Sequence, residues 1–588
     1  MENVFPPIDF NEGLNILFAQ VKKPKEDDKD SHNLGKTLLI HLIDFMLLKG
    51  FNKGHFLFDN KILFNDFVFF LEIQLNEGGY ATVKRGIENN TKISIKLHNQ
   101  PQQNFIDLAP ADWDYDKLPF DKAVQTLNRL LHLHILGEYS YRKGISYLLR
   151  TQNDYSDVFQ LSKFIHGKHS EWKPYIAMLL GFNHDLIKTK YQLDEEIQQK
   201  RQYRANYEKE SGASLEKFDK IKGLIEIKRS ETEELRNESD RFNFYAEELK
   251  INAELVNTVE SEIALLNDRL YTIDYEIESI IKASENSTNF DTNKVSRLFS
   301  EVQLNFPTQL KKSYEELLAF YRKVSDERNR RLSKRKQELI KERGEVLRRL
   351  ESLNVKRQEF LSILHEEDSF RKFKAIQREI GRKGAEIARL EAELGQIDVI
   401  SKNDREIQEL IEQRNRIINQ IRDNVNAGND IYLSVRKRFN AIIKGVLELP
   451  ALLSTTLNAE GNIEFEANIV EDESSAVFTS EGKGTSYKKL LCAAFDMAVL
   501  VTYREKSFYR FVYHDGILEG LDNRKKRRFL SVVRRFCDEY KLQYIMTVID
   551  ADVPRDEDDI KIQFQLGTII RTFHEEGDDG RLFRMPKF

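Results

Sequence analysis

Asp30-Ser31-His32-Asn33-Leu34-Gly35-Lys36-Thr37 is the stretch on which the reading of this chain turns. An apolar run at 14–18 (Leu-Asn-Ile-Leu-Phe) precedes it, and an apolar helical run at 38–48 follows. Strand, loop, Gly-Lys-Thr and helix in that order make a phosphate-binding loop. Its backbone N–H groups, with those of the helix start, face an anion. Lys36 would set an ammonium against the β- and γ-phosphates, and Thr37 would set a hydroxyl on Mg²⁺. Asn33, Gly35, Lys36 and Thr37 are therefore the first candidate nucleotide contacts. Asp30 stands where the usual pattern begins with Gly, so an ordinary helix start is the competing reading.

Composition narrows the class. The 588 residues allow several domains, and a charged share of 32% beside 38 Phe and 22 Tyr combines solvated faces with a globular core. A net charge of −5 sets up no overall basic field for nucleic acid. The only cysteines, Cys492 and Cys537, exclude a disulfide framework and a Cys-x-x-Cys zinc site. The first residues show no charged leader before an apolar run, and no apolar stretch reaches the ~18 residues of a membrane span. The expectation is a cytoplasmic protein without a membrane partner.

Outward from the opening stretch, residues 1–182 read as globular. Alternating runs at 66–75 and 80–85 around Gly78-Gly79 predict a β-hairpin, with a third strand at 91–97. Gln152 ends an apolar element, where it would reach Mg²⁺ or an attacking water; a surface-loop Gln is the plainer alternative. From 183 to 425 the sequence is charged and periodic. One ladder runs Val256, Val259, Ile263, Leu266, Leu270, Ile273, Ile277, Ile280, the three–four spacing of a coiled-coil seam. A return ladder runs Leu332, Leu339, Val346, Leu353, Phe360, and another carries Ile387, Leu390 and Leu394. The economical arrangement is an antiparallel hairpin: an ascending arm at 183–283, a tip at 284–330 and a descending arm at 331–425. Separate coils for parallel dimerisation are the alternative.

Globular composition returns at 426–588. Gly482, Lys483, Gly484, Thr485 and Ser486 open a helix at 490–501, a second anion site or a plain N-cap by Thr485 or Ser486. The strand 508–515 ends in Asp515, placed to hold Mg²⁺ through water. Arg527, Arg528, Arg534 and Arg535 follow on a helix, as a solvated face or a DNA contact.

In this order the pieces resemble the ABC-type ATPases of the SMC and zinc-hook DNA-repair superfamily. More narrowly, 29–42, 147–152, 172–182, 482–500 and 514–522 are similar to the YydD-like bacterial family of three-component ABC systems. Lamassu-type phage-defence ATPases are a more distant likeness. The resemblance implies an α/β ABC-type ATPase head split between the two termini, with a long antiparallel coiled-coil hairpin inserted between the lobes. Gly35, Lys36 and Thr37 match the Walker A end, Gln152 the Q-loop, and 482–486 the signature loop. Asp515 matches the Walker B aspartate and Leu521-Asp522 the D-loop. It further implies ATP and Mg²⁺ as cofactors, with Thr37, Gln152 and Asp515 at the metal. Also implied are a homodimer through the heads, partner subunits, DNA, and a role in anti-phage defence. Gly516 occupies the position of the usual catalytic Glu; Glu519, three residues on, is the candidate substitute. The expected activity is a slow ATPase. The alternative is a non-catalytic coiled-coil scaffold whose degenerate head regulates an effector.

Overall fold

A computed structural model describes residues 4–20, 22, 34–161, 168–240, 255–285, 308–363, 368–471, 484–586 and 588. Asn33, Gly482 and Lys483 of the candidate site lie outside them. The chain forms two units. One combines Met1–Gln192 with Asn415–Phe588, and the other is Leu193–Arg414.

The first unit is built on a five-stranded parallel sheet. Strand β1 (Gly13–Gln20) comes from the N-terminal part of the chain. An antiparallel sheet follows in sequence: β2 (Val68–Gln74), β3 (Tyr80–Gly86), β4 (Lys92–His98) and β5 (Tyr115–Pro119). The β2–β3 turn uses Gly78 and Gly79 at positive φ, 97° and 76°, which glycine adopts without steric cost. Next come the short β6 (Leu149–Arg150) and a hairpin of β7 (Ala451–Leu457) and β8 (Ile463–Ile469). The C-terminal part supplies β9 (Phe511–His514), β10 (Gln543–Ile549) and β11 (Ile569–His574). The parallel sheet runs β11-β1-β10-β9-β6. β1 pairs on one side with β10 and on the other with β11, while β6 pairs with β9. Strands from both parts of the chain are thus interleaved. The middle strand β10 is buried on both faces and reads as an apolar run: Tyr544, Ile545, Met546 and Val548 are all at most 2% exposed.

The expected split α/β head with an antiparallel coil between its lobes is the observed fold class. Among the described residues of the second unit, two antiparallel pairs illustrate the coil. Helix Ser261–Glu285 lies against Thr308–Ile363, joining Val259, Ile263 and Ile273 to Leu339, Val346, Leu350 and Leu353. Arg349–Glu262, Arg269–Glu342 and Arg335–Glu276 flank that seam, and their numbering runs in opposite senses. Helix Phe218–Asp240 lies against Asp368–Ala427, where Ile221 and Ile225 pack with Ile397 and Ile400. Part of the expected tip, 308–330, is the start of the Thr308–Ile363 helix, and Arg328 there pairs with Glu210 at 3.2 Å. The physical reason is that the chain carries more than one apolar ladder per direction, and each needs its own facing seam.

Three histidines of the first unit are held neutral. Burial is the first cause that lowers the pKa of His41, His55 and His514 below the ordinary 6.5, and His55 is pushed down to about 4. His55 Nδ1 accepts from the Leu57 N–H, and its Nε2 lies 3.2 Å from the His41 carbonyl, which suits the neutral Nε2–H ring. Below pH 6.5 the unfolded chain binds protons that the folded chain refuses, so stability present above that pH is lost as pH falls toward 4. Thermal melting across that range is expected to show a midpoint that drops through this window, and His55→Gln is expected to flatten the drop.

Candidate functional site

Parallel strands end at one edge of the sheet, and there the loops of an α/β fold place ligand-binding groups. After β1 the chain reaches Gly35, whose φ of 95° starts the helix Lys36–Met46 without a side-chain cap. A Cβ on Gly35 would come within 2.7 Å of the Leu582 Cβ, so this position also needs glycine for room. The Leu582 N–H donates to the Leu34 carbonyl at 3.1 Å. Lys36 is buried, and the Tyr513 hydroxyl of β9 donates to its carbonyl at 3.2 Å.

Asp515 follows β9 and is fully buried. The Thr37 hydroxyl donates to its Oδ2 at 2.7 Å, and the Thr547 hydroxyl of β10 to its Oδ1 at 2.6 Å. Its N–H donates to the Arg150 carbonyl, and the Gly516 N–H donates to the Thr547 hydroxyl. Residues 478 positions apart in sequence thus share one carboxylate. Hydroxyl and carboxylate oxygens so arranged suit a hard divalent cation.

Gln152 stands in a short 3₁₀ turn after β6. Its Nε2 donates to Glu519 Oε1 at 2.9 Å. The other carboxylate oxygen, Oε2, faces Lys489 Nζ at 3.3 Å, and that ammonium also donates to the Gly516 carbonyl at 2.8 Å. Gly516 has a φ of 65°. A Cβ built there would meet Gln152 Nε2 at 2.7 Å and the Glu519 carboxylate at 2.9 Å. Glu519 therefore fills the space that a side chain at 516 would enter, and glycine at 516 is what leaves that space open.

The helix Thr485–Thr502 begins at Gly484, with no side-chain cap hydrogen bond. Neither Thr485 nor Ser486 acts as the N-cap that the plainer reading required. The Ser486 hydroxyl instead donates to the Gly520 carbonyl at 3.0 Å. Asp522 caps the helix Asn523–Tyr540, accepting the Lys525 N–H at 2.9 Å and pairing with Lys525 Nζ at 2.8 Å. That ammonium also reaches the Tyr487 hydroxyl.

Behind these groups lies a buried ionic network that the sequence did not reveal. Arg150 holds Asp496 through both Nε and Nη2, at 2.5 and 3.0 Å, and donates to the carbonyls of Asp154 and Val158. Burial opposes the guanidinium charge, but Asp496 outweighs it and raises the Arg150 pKa. His514 Nε2 lies 3.1 Å from Asp496, and Nδ1 lies 2.5 Å from the Tyr544 hydroxyl. The neutral Nε2–H ring satisfies both. Arg150 sits two residues before Gln152 and His514 one before Asp515, so the network fixes both strand ends. Lys489 and Thr547 were likewise missed: a lysine inside a helix and a threonine inside an apolar strand carry no local signal.

A family model described as an uncharacterised protein conserved in bacteria (DUF2326) matches residues 438–587. No curated protein matches the chain. Among solved structures, the chain is similar to the Smc head domain with a coiled coil and joint from Pyrococcus yayanosii. The identity is 14% and the TM-score 0.33, over 95% of this chain and 93% of that one. It is also similar to the Smc head domain with an extended coiled coil, bound to the C-terminal domain of ScpA, from Pyrococcus furiosus. There the identity is 12% and the TM-score 0.34, over 92% and 85%. Among the described residues no helix is long and apolar enough to cross a membrane.

Gly516→Ala should lose about 1–2 kcal/mol from the left-handed backbone alone, and more where Glu519 and Gln152 must retreat. Urea unfolding of the variant against the wild type measures it, and an unchanged midpoint would deny the crowding.

Proposed function

We propose that this chain binds ATP between its N- and C-terminal parts, and that ATP brings two copies together through their heads. The observation that carries the reading is the 2.7 Å contact of Thr37 with Asp515, which joins the loop after β1 to the end of β9. In this reading Gly35, Lys36 and Thr37, with Asn33, hold the phosphates. Thr37, Gln152 and Asp515 are the oxygen donors suited to Mg²⁺, which when bound offsets phosphate charge. Glu519, about a third exposed, accepts the proton of the attacking water, and Gln152 orients that water. Gly482, Lys483, Gly484, Thr485, Ser486 and Asp522 meet the nucleotide held by the second copy.

Glu519 reaches the site from three residues past the usual position, and this supports a slow ATPase that works as a switch. The sequence resemblance extends the proposal to an SMC-like cytoplasmic subunit of a three-component bacterial complex. That complex acts on DNA in anti-phage defence, in the manner of YydD-like and Lamassu-type systems. Gly516 favours one second reading, a scaffold whose head binds without hydrolysis and regulates an effector.

Lys36→Ala and Asp515→Asn are the discriminating variants. Both are expected to abolish ATP-dependent self-association seen by light scattering, and to weaken ATP binding by more than about tenfold, the 1.4 kcal/mol expected for losing a charged contact. Equal turnover by wild type and Asp515→Asn at saturating ATP would favour the scaffold. A wild type that fails to bind ATP would end the proposal.

A further inference from the structure

The loop after Asp515, together with the first turn of the helix Asn523–Tyr540, is clamped to the start of the helix Thr485–Thr502 at three points. The Ser486 hydroxyl donates to the Gly520 carbonyl at 3.0 Å. Lys525 Nζ donates to the Tyr487 hydroxyl at 2.9 Å. Lys489 Nζ donates to the Gly516 carbonyl at 2.8 Å and faces Glu519 Oε2 at 3.3 Å. Loop and helix are in close contact at Gly520, where a Cβ would strike Ser486 Oγ at 2.7 Å; within the loop, one on Gly516 would strike the Glu519 carboxylate at 2.9 Å.

Lys489 is the member of this clamp that touches the glutamate. Its side chain is only 9% exposed, and burying an ammonium is costly unless partners receive it. The partners here are a carbonyl, a carboxylate and the face of Tyr155, whose ring centre lies 5.8 Å from Nζ. Glu519 is thereby held from both sides, Oε1 by Gln152 and Oε2 by Lys489. One holder belongs to the strand-end loop after β6. The other belongs to a helix whose first residues are those proposed to face a second copy.

We propose that Lys489 is the positioning residue through which engagement of the 485–502 helix by a second copy of this chain sets the Glu519 carboxylate for proton transfer. This rests on the nucleotide reading above. A displacement of the helix start moves Ser486, Tyr487 and Lys489 together, and the loop 516–520 must follow. Self-association and hydrolysis are then coupled through one ammonium. No residue of the second copy needs to touch Glu519.

The test uses the full chain. Lys489→Met is expected to keep ATP binding and ATP-dependent self-association while lowering kcat by about 100-fold, the loss that misplacing a reacting group by about 1 Å produces. KM should barely change. Lys489→Arg, which keeps the cation, should recover part of the rate. In a Glu519→Gln background, adding Lys489→Met should lower the residual rate no further, because the two act as a unit. A purely structural lysine would give additive losses in that background and no recovery with Arg. If Lys489→Met does not fold, Tyr487→Phe removes the clamp's hydrogen bond to Lys525 at the helix surface and should lower kcat with ATP binding intact. Wild-type turnover in Lys489→Met, or additivity with Glu519→Gln, overturns this proposal and leaves the nucleotide reading standing. Failure of the wild type to bind ATP overturns that reading itself. A wild type that binds ATP without turning it over removes the role of Glu519, and the role of Lys489 with it.

Discussion

β1 lies between β10 and β11, with both ladders parallel. A strand at that place takes its backbone hydrogen bonds from residues more than 500 positions away. The N-terminal part alone would leave β1 with two open edges, and the C-terminal part alone would lack the strand that joins β10 to β11. The sheet therefore closes only when the chain returns from the inserted unit. Within that unit Asp194 and Arg414 pair at 3.5 Å, so the antiparallel helices bring its two ends side by side. Because every strand of the sheet is parallel, the C-terminal ends of β1, β6, β9 and β10 fall on one edge. That edge gathers Thr37, Gln152, Asp515 and Thr547.

The gathered groups are polar and several are buried, so they need support. The Arg150–Asp496–His514–Tyr544 network provides it with fully buried partners. Breaking such a pair from one side costs about 3–5 kcal/mol, because the remaining charge is left uncompensated. That cost makes the two strand ends rigid where the candidate site requires it. Around Glu519 the constraint is steric. Gly516 and Gly520, both at positive φ, fold a tight loop that returns a glutamate to the space beside its own glycine.

Much of the architecture was readable in the sequence because it follows from local periodicity. The Gly78-Gly79 hairpin and the seam from Val259 to Ile280 stand where the periodicity puts them. The helix expected at 38–48 is Lys36–Met46, and Asp515, expected to end a strand at 508–515, follows β9; both were legible because loop chemistry is written in short motifs. β11 and the two-residue β6 were not, since one has a single buried residue and the other is too short to show a period. The second antiparallel pair of the coil was missed because heptads give a seam but not its partner. Lys489 and Arg150 were missed for a different reason. Their partners lie 30 and 346 residues away, and only the fold brings them together.

In the proposed mechanism Glu519 is the group that stands in for a side chain at 516. Single-turnover hydrolysis of bound ATP by Glu519→Gln, compared with the wild type, tests this most directly. The expected result is a loss of about 100-fold or more in the chemical step, the usual contribution of a positioned proton acceptor, while the two copies stay associated with ATP still bound. Hydrolysis by Glu519→Gln at the wild-type rate would contradict it.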